Sequence, residues 1–472
     1  MTIEADICVI GAGPGGLSVA AGAAMLGART VLIEKGLMGG DCLNYGCVPS
    51  KALLAAGHAA QAVRGAPAFG VDAGQPRIDA SRVYGYVRDT IVAIEPNDSV
   101  ARFEGLGCTV IRAPARFTGR RRIEADGQTI TARRFVIATG SVPMVPPIEG
   151  LDRVPYLTNE TVFDLDALPR HLIVVGGGPI GVELAQAHRH LGCDVTVLEM
   201  ASLMPKDDAE LVDVVRARLI ADGISVNEGC RVTRVENAAE EVAVVVDGDN
   251  GERRVEGSHL LFATGRRANI DGLDLEAGGI DYTPAGVTVD RRLRTSDKKV
   301  FAVGDVTGGL QFTHVAGYHA GIVIRNALFR LPAKVNLGAV PWVTYTDPEL
   351  AQVGLTEAAA RAAGHDLRIL RWAFAENDRA QAENQTDGSI KALVSAKGAI
   401  LGAGIVGSGA GDLIQTWVLA MEKGIKIGAL ASMIAPYPTL GEVSKRAAGS
   451  FYTPSVFGER TKKVVKFLSR FG

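Results

Sequence analysis

The first apolar run, DICVI at 6–10, is short and unbroken, which predicts a strand buried on both faces. A Gly-rich stretch follows, then the Ala-rich segment LSVAAGAAMLG with helical character, then a second apolar run ending at Glu34. The same order returns downstream: HLIVV at 171–175, a Gly-rich turn, the helical VELAQAHRHLG, and DVTVLE ending at Glu199. Strand, turn, helix and strand occurring twice predict two βαβ units in an α/β chain. Towards the C-terminus the alternating WVTY and the helix TEAAARAAG predict a further α/β domain. Finally, Val464, Val465, Phe467, Leu468 and Phe471 recur at helical spacing, with Lys462, Lys463, Lys466 and Arg470 among them. Two destinations are open for that segment. One is packing on its own domain, the usual meaning of such spacing; the other is contact with an anionic membrane surface.

A length of 472 residues leaves room for about three domains. Fifty basic against 52 acidic side chains give a net charge of −2, which excludes nucleic-acid binding driven by bulk charge. Glycine is enriched, at 57 of 472 residues or about 12% against a usual 7% or so, and points to close backbone approaches. The six cysteines at 8, 42, 47, 108, 193 and 230 do not form a secreted disulfide framework. No signal-peptide pattern and no apolar run of about 18 residues occur, so the expected location is cytoplasmic.

The glycines cluster where the βαβ units turn. In Gly11-Ala12-Gly13-Pro14-Gly15-Gly16, Gly11 permits the tight turn, Gly13 lets a pyrophosphate approach, and Gly16 lets helix and strand pack closely. Glu34 then accepts hydrogen bonds from a ribose diol. Gly176-Gly177-Gly178-Pro179-Ile180-Gly181 with Glu199 repeats the arrangement, so two dinucleotides are expected. A carboxylate at Glu199 favours a free 2′-OH and repels a 2′-phosphate, and the MASLMPKDD that follows offers only Lys206 as a cation. NADH is therefore expected over NADPH.

Between the units runs Gly39-Gly40-Asp41-Cys42-Leu43-Asn44-Tyr45-Gly46-Cys47-Val48-Pro49-Ser50-Lys51. A metal half-site would need a second ligand cluster, which the sequence lacks, so no metal ligands are assigned. Cys8, Cys108, Cys193 and Cys230 read as small buried hydrophobes. Cys42 and Cys47 read as a redox disulfide, because they open a helical segment from Pro49 whose dipole stabilises a thiolate.

Taken together the motifs resemble the class I flavin-dependent pyridine nucleotide–disulfide oxidoreductases, the family of dihydrolipoamide dehydrogenase, glutathione reductase and mercuric reductase. The resemblance rests on GAGPGG, GGDCLNYGCVPSK, FVIATGS (135–141), GGGPIGVELA, LLFATGRRAN (260–269), VFAVGDVTGG (300–309), VPWVTYTDPELAQVGLTE (340–357) and PYPTLGE (436–442), and covers almost the entire chain. It implies two Rossmann-like dinucleotide-binding domains plus a C-terminal α/β dimerisation domain. Their expected bounds are 1–150 and 281–337 for FAD, 151–280 for NAD(H), and 338–472 for dimerisation. FAD would be held through Gly11, Gly13, Pro14, Gly16, Glu34, Lys35, Gly40, Lys51, Ala115, Thr139, Gly140, Ser141, Asp305 and Thr313. The nicotinamide nucleotide would be held through Gly176, Gly178, Ile180, Gly181, Glu199 and Gly265. Lys51 corresponds to the lysine beside the flavin, with Glu183 as its ion-pair partner. Cys47 corresponds to the flavin-side thiol and Cys42 to the attacking one. A homodimer is implied, in which each copy lends its Tyr437/Glu442 segment to the other's cysteine pair.

Where disulfide-reducing members carry HPTxxE, this chain reads Tyr437-Pro438-Thr439-Leu440-Gly441-Glu442, and no histidine follows residue 365. A phenol of pKa about 10 is a poor proton shuttle at neutral pH. Tyrosine there looks like mercuric reductase, yet the chain lacks that enzyme's C-terminal cysteine pair, and Glu199 departs from its NADPH preference. Asp41 and Tyr45 replace the commoner Thr and Val. The sequence therefore predicts an FAD-dependent enzyme passing electrons from NADH through Cys42 and Cys47 to a small-molecule or protein disulfide, or to a soft metal ion. The alternatives are a mercuric reductase-like metal reductase and a flavoprotein that serves one protein partner without turnover. An NADH oxidase normally needs one redox cysteine rather than two.

Overall fold

The structure is a computed structural model that describes residues 2–471 apart from 239–240 and 249–250. It divides into two compact units. The first contains the chain up to Met200 together with Cys230–Asn336; the second contains Ala201–Gly229 and the chain from Leu337 onward.

In the first unit the predicted opening strand extends over Thr2–Ile10. It pairs in parallel with Thr30–Ile33 on one side and with Gln128–Ile137 on the other. Cys108–Ile111 extends the sheet beyond the second strand, and Val300–Ala302 pairs in parallel with Gln128–Ile137. Alternation across the pleat gives the central strand two buried faces. Ile7 and Val9 pack with Leu17, Val19 and Ala20 of the helix Pro14–Met25 and with Ile322 and Val323 of the helix Thr313–Ala327. Cys8 and Ile10 face the other way, against Phe117, Phe135 and Val300. Cys8 is thus a core side chain, and burial pushes its thiol pKa well up. Thr30–Ile33 and Gln128–Ile137 lie on opposite sides of Thr2–Ile10, so its C-terminal end is the crevice where such sheets bind nucleotides.

The second βαβ unit repeats the arrangement with Asp194–Leu198, His171–Val175 and His259–Phe262 in parallel. An antiparallel meander, Arg231–Ala238, Glu241–Gly248 and Gly251–Gly257, covers it. Its Val242, Val244 and Val246 pack on Ile173, Val175, Leu260 and Phe262.

The second unit is built on a five-stranded antiparallel sheet in the order Pro341–Thr344, Glu349–Gly354, Ile400–Gly407, Ser389–Ser395, Leu367–Ala373. Residues 201–229, expected with the NAD(H) domain, belong to this unit for two physical reasons. The helix Ala209–Ala221 buries Leu211, Val212, Val215 and Leu219, and Leu211 lies so close to Gly404 that a Cβ there would meet its Cδ1 at 2.3 Å. In addition the buried ammonium of Lys391 lies 2.8 Å from each of Asp208, Glu210 and Glu357. Among the described residues no helix is long and apolar enough to cross a membrane.

Candidate active site

The glycine loops take the geometry that the two βαβ units demand. Gly11 and Gly176 have φ of 103° and 114°, and a Cβ on them would lie 2.3 and 2.4 Å from the carbonyls of Ala138 and Ala263. Gly16 and Gly181 press so closely on those turns that a Cβ would meet the Gly11 and Gly176 oxygens at 1.9 and 2.0 Å. Gly13 and Gly178 differ: each caps a helix, and a Cβ on either would enter open space. Open space above a helix N-terminus, with Pro14 or Pro179 opening the helix, fits a pyrophosphate. Glu34 and Glu199 play matching parts. Glu34 Oε2 accepts from Ala12 N at 2.6 Å and Glu199 Oε2 from Gly177 N at 2.6 Å, so each acid braces its loop and stands at the strand end. Lys35 is exposed just beyond, Ile180 is partly exposed in the first turn of its helix, and Ala115 is buried at the start of a strand.

Cys42 lies in the short helix Gly40–Asn44, and Cys47 is the first residue of the helix Cys47–Gly65, two residues earlier than expected. Gly40 makes this approach possible, since a Cβ there would meet Gly13 Cα at 2.7 Å. The two sulfurs are present as thiols and hydrogen-bond each other. Cys47 Sγ also lies 3.4 Å from Thr313 Oγ1, at the first residue of the helix Thr313–Ala327. Two helix N-termini therefore converge on one sulfur, and Lys51 follows one turn later. The Cys42 hydrogen bond above all, then that from Thr313 and the charge of Lys51, hold Cys47 down at about 6. Cys42 is pushed up by the same contact and by burial. The contact therefore favours the thiolate at Cys47 and the thiol at Cys42.

Lys51 Nζ reaches Glu183 Oε2 at 2.7 Å, with the carboxylate buried in the helix Pro179–His190. The pairing offsets part of the cost of burying the carboxylate. Around Asp305 the chain builds a network that sequence reasoning missed. Asp305 Oδ2 accepts from Ser141 Oγ at 2.6 Å, and Ser141 Oγ accepts from Arg266 Nε at 2.8 Å. Arg266 Nη2 pairs with Asp41 Oδ1 at 2.9 Å, and Asn159 Nδ2 donates to the same oxygen at 3.1 Å and to the Tyr45 carbonyl at 3.1 Å. Asp41 is thus the anchor that ties the cysteine loop to Asp305. Arg266 lies within LLFATGRRAN, and Asp41, more than 200 residues away in sequence, supplies its counter-charge. Thr139 donates to the Asn269 carbonyl at 2.6 Å, and Gly140 and Gly265 take positive φ at 69° and 118°.

In the second unit Tyr437 is exposed and its Oη donates to Asp378 Oδ2 at 3.0 Å. Local sequence explains the contact. Asn377 caps the helix Asp378–Ala382 by accepting from Ala380 N, and its Nδ2 donates to the Thr439 carbonyl at 3.1 Å. That bond holds the 437–439 turn beside Asp378. Asp378 holds the phenol above its ordinary pKa. Glu442, expected to orient it, opens the helix Glu442–Ser450. Among the described residues no group of three His, Cys, Asp or Glu side chains is placed to hold a metal ion.

Residues 5–320 match the family model described as pyridine nucleotide-disulphide oxidoreductase, and residues 340–448 match its dimerisation domain. The chain belongs to the pyridine nucleotide–disulphide oxidoreductase family. A mercuric reductase of Streptomyces lividans is 36% identical over 460 residues, covering 94% of this chain and 96% of that protein. A dihydrolipoyl dehydrogenase of Thermus scotoductus is 35% identical over 469 residues, covering 96% and 98%. Among solved structures, the Cu(II) complex of the HOCl-induced flavoprotein disulfide reductase RclA of Escherichia coli superposes with a TM-score of 0.84 at 28% identity, covering 93% of this chain and 98% of that one. Oxidoreductases of this family use FAD and NAD(P)H. Similarity to mercuric and to dihydrolipoyl enzymes is almost equal, so the acceptor must be argued from the residues.

Proposed function

We propose that this oxidoreductase takes electrons from NADH and delivers them through Cys42 and Cys47 to a soft electrophile, with a thiophilic metal ion such as Hg(II) favoured over a disulfide. The observation that carries the reading is Cys47, whose sulfur meets Thr313 Oγ1, two helix N-termini and the Lys51 charge. FAD, when bound by Gly11, Gly13, Gly16, Glu34 and Asp305, supplies the chemistry that turns a hydride into two electrons. Lys51 keeps positive charge beside Cys47, and Glu183 fixes that ammonium in place. Cys47 serves as the flavin-side thiolate, and Cys42 is the thiol that engages the acceptor.

Proton demand separates the acceptors. Splitting a disulfide releases a thiolate that must be protonated, the work an imidazole does in disulfide-reducing members. Tyr437 is held protonated by Asp378 and stands at the wrong pKa to give and regain that proton near neutrality. Converting Hg(II) to the metal needs two electrons and no proton. The RclA relative was solved as a Cu(II) complex, which supports a metal acceptor on this scaffold. NADH preference follows from Glu199, whose carboxylate at the strand end opposes a 2′-phosphate. The dimerisation-domain match supports a homodimer in which each Tyr437 segment serves the other copy's cysteines. Four further cysteines, all buried as free thiols, suit the reducing cytoplasm.

The test is anaerobic NADH consumption by the FAD-loaded protein with Hg(II), Cu(II), lipoamide and glutathione disulfide in turn. The metal is expected to exceed either disulfide by about tenfold or more in kcat/KM. Equal or faster disulfide turnover overturns the metal preference. Reduction by NADH without turnover of any acceptor favours the protein-partner alternative instead.

A further inference from the structure

The segment Glu459–Leu468 forms the predicted helix, but none of its residues is buried. Its apolar face therefore does not serve the core of its own chain. Val464, Val465, Phe467 and Leu468 are 54–60% exposed and Phe471 is 75% exposed. At 100° per residue they fall on one side of the helix, with Phe467 and Phe471 edge to face at 5.2 Å. Lys462, Lys463, Lys466 and Arg470 occupy the other side. Across 459–471 the one acidic residue is Glu459, which pairs with Lys462 at 2.9 Å.

Charge selects the occupant of this face. A second copy of the helix would cover the apolar face but offer the cations on the opposite side no counter-charge, and the dimerisation-domain match ends at residue 448, before the helix begins. An anionic bilayer satisfies both faces at once. Headgroups meet the lysines and Arg470, and the acyl boundary takes the Phe, Val and Leu side chains. Ten residues span about 15 Å, half of a bilayer core, so the helix lies along the surface and does not cross it. We propose that the Glu459–Leu468 helix docks this protein on the surface of an anionic lipid bilayer.

The experiment is co-sedimentation of the full FAD-loaded chain with vesicles of equal parts phosphatidylglycerol and phosphatidylcholine, beside vesicles of phosphatidylcholine alone. Binding is expected to the anionic vesicles only, and to weaken as salt shortens the screening length. The triple variant K462E/K463E/K466E should lose about a hundredfold or more in partitioning, and F467S/F471S about tenfold or more. Both variants should retain NADH oxidation, since none of these side chains lies in the cysteine pair or the nucleotide loops. Absent binding at low salt, or equal binding to both vesicle types, overturns the proposal. So does a larger wild-type assembly in lipid-free solution that F467S/F471S abolishes, because the face would then belong to a second copy.

Discussion

Tyr437 donates its phenol hydrogen to Asp378 across 3.0 Å, so the residue proposed to stand in for the imidazole of disulfide-reducing relatives answers to a carboxylate outside the motif. The contact favours the neutral phenol. Asp378→Asn should therefore lower the Tyr437 pKa towards its ordinary value of about 10, read as the ultraviolet phenolate signal against a Tyr437→Phe control. An unchanged titration would mean that Asp378 does not hold the phenol in solution.

The same position offers a gain of function. Tyr437→His should raise lipoamide or glutathione-disulfide kcat/KM by at least about tenfold, because an imidazole titrates near neutrality. Metal turnover should stay level or fall. A wild-type disulfide rate that the variant cannot improve would place the proton route elsewhere.

The polarised thiols predict opposite spectra for the two serine variants. Cys42→Ser should retain the long-wavelength absorbance that appears when NADH reduces the FAD-loaded protein, since the introduced hydroxyl, Thr313 and the Lys51 charge still favour the Cys47 thiolate. Cys47→Ser should abolish it. The reverse outcome would exchange the roles assigned to the two sulfurs.

Glu199 should set the choice of nucleotide. Wild type is expected to favour NADH over NADPH by about tenfold or more in kcat/KM, and Glu199→Gln to narrow that ratio by relieving the repulsion of a 2′-phosphate. Comparable efficiencies in the wild type would refute the assignment.

Lys391 carries the stability prediction. Replacing it with Met leaves Asp208, Glu210 and Glu357 facing one another without their shared cation, a loss of about 3–5 kcal/mol by urea denaturation at pH 7. Acid should narrow the gap between the variant and the wild type. Arg371 first and Lys391 second hold Glu210 at about 2, below its unfolded value, so this stabilisation is complete above about pH 5 and fades as pH falls towards 2. With part of the depression gone, Lys391→Met should lose stability less steeply across that range.

Both βαβ units were legible because their information is local. A glycine that must avoid a carbonyl, or an acid that ends a strand and braces a loop 22 residues back, leaves its mark within one short window. The Asp41–Arg266–Ser141–Asp305 network was not legible, since its members come from four separate segments and only the folded sheet brings them together. The Tyr437–Asp378 contact was hidden for the same reason, as it depends on a cap at Asn377 that looks ordinary in sequence. Helical spacing at 464–471 revealed an amphipathic face, but spacing alone could not tell what the face would meet.

The interleaving of the second unit has a consequence for how the chain is made. A ribosome delivers Asp208 183 residues before it delivers Lys391, an interval of about 10–40 s at typical synthesis rates. During that interval the first unit can receive its remaining strands at 259–262 and 300–302. The helix Ala209–Ala221 cannot yet bury Leu211, because the strand that carries Gly404 has not been synthesised. Nascent chains halted in this window should present that helix to chaperones, and release into the native fold should await translation of the Ser389–Ser395 and Ile400–Gly407 strands.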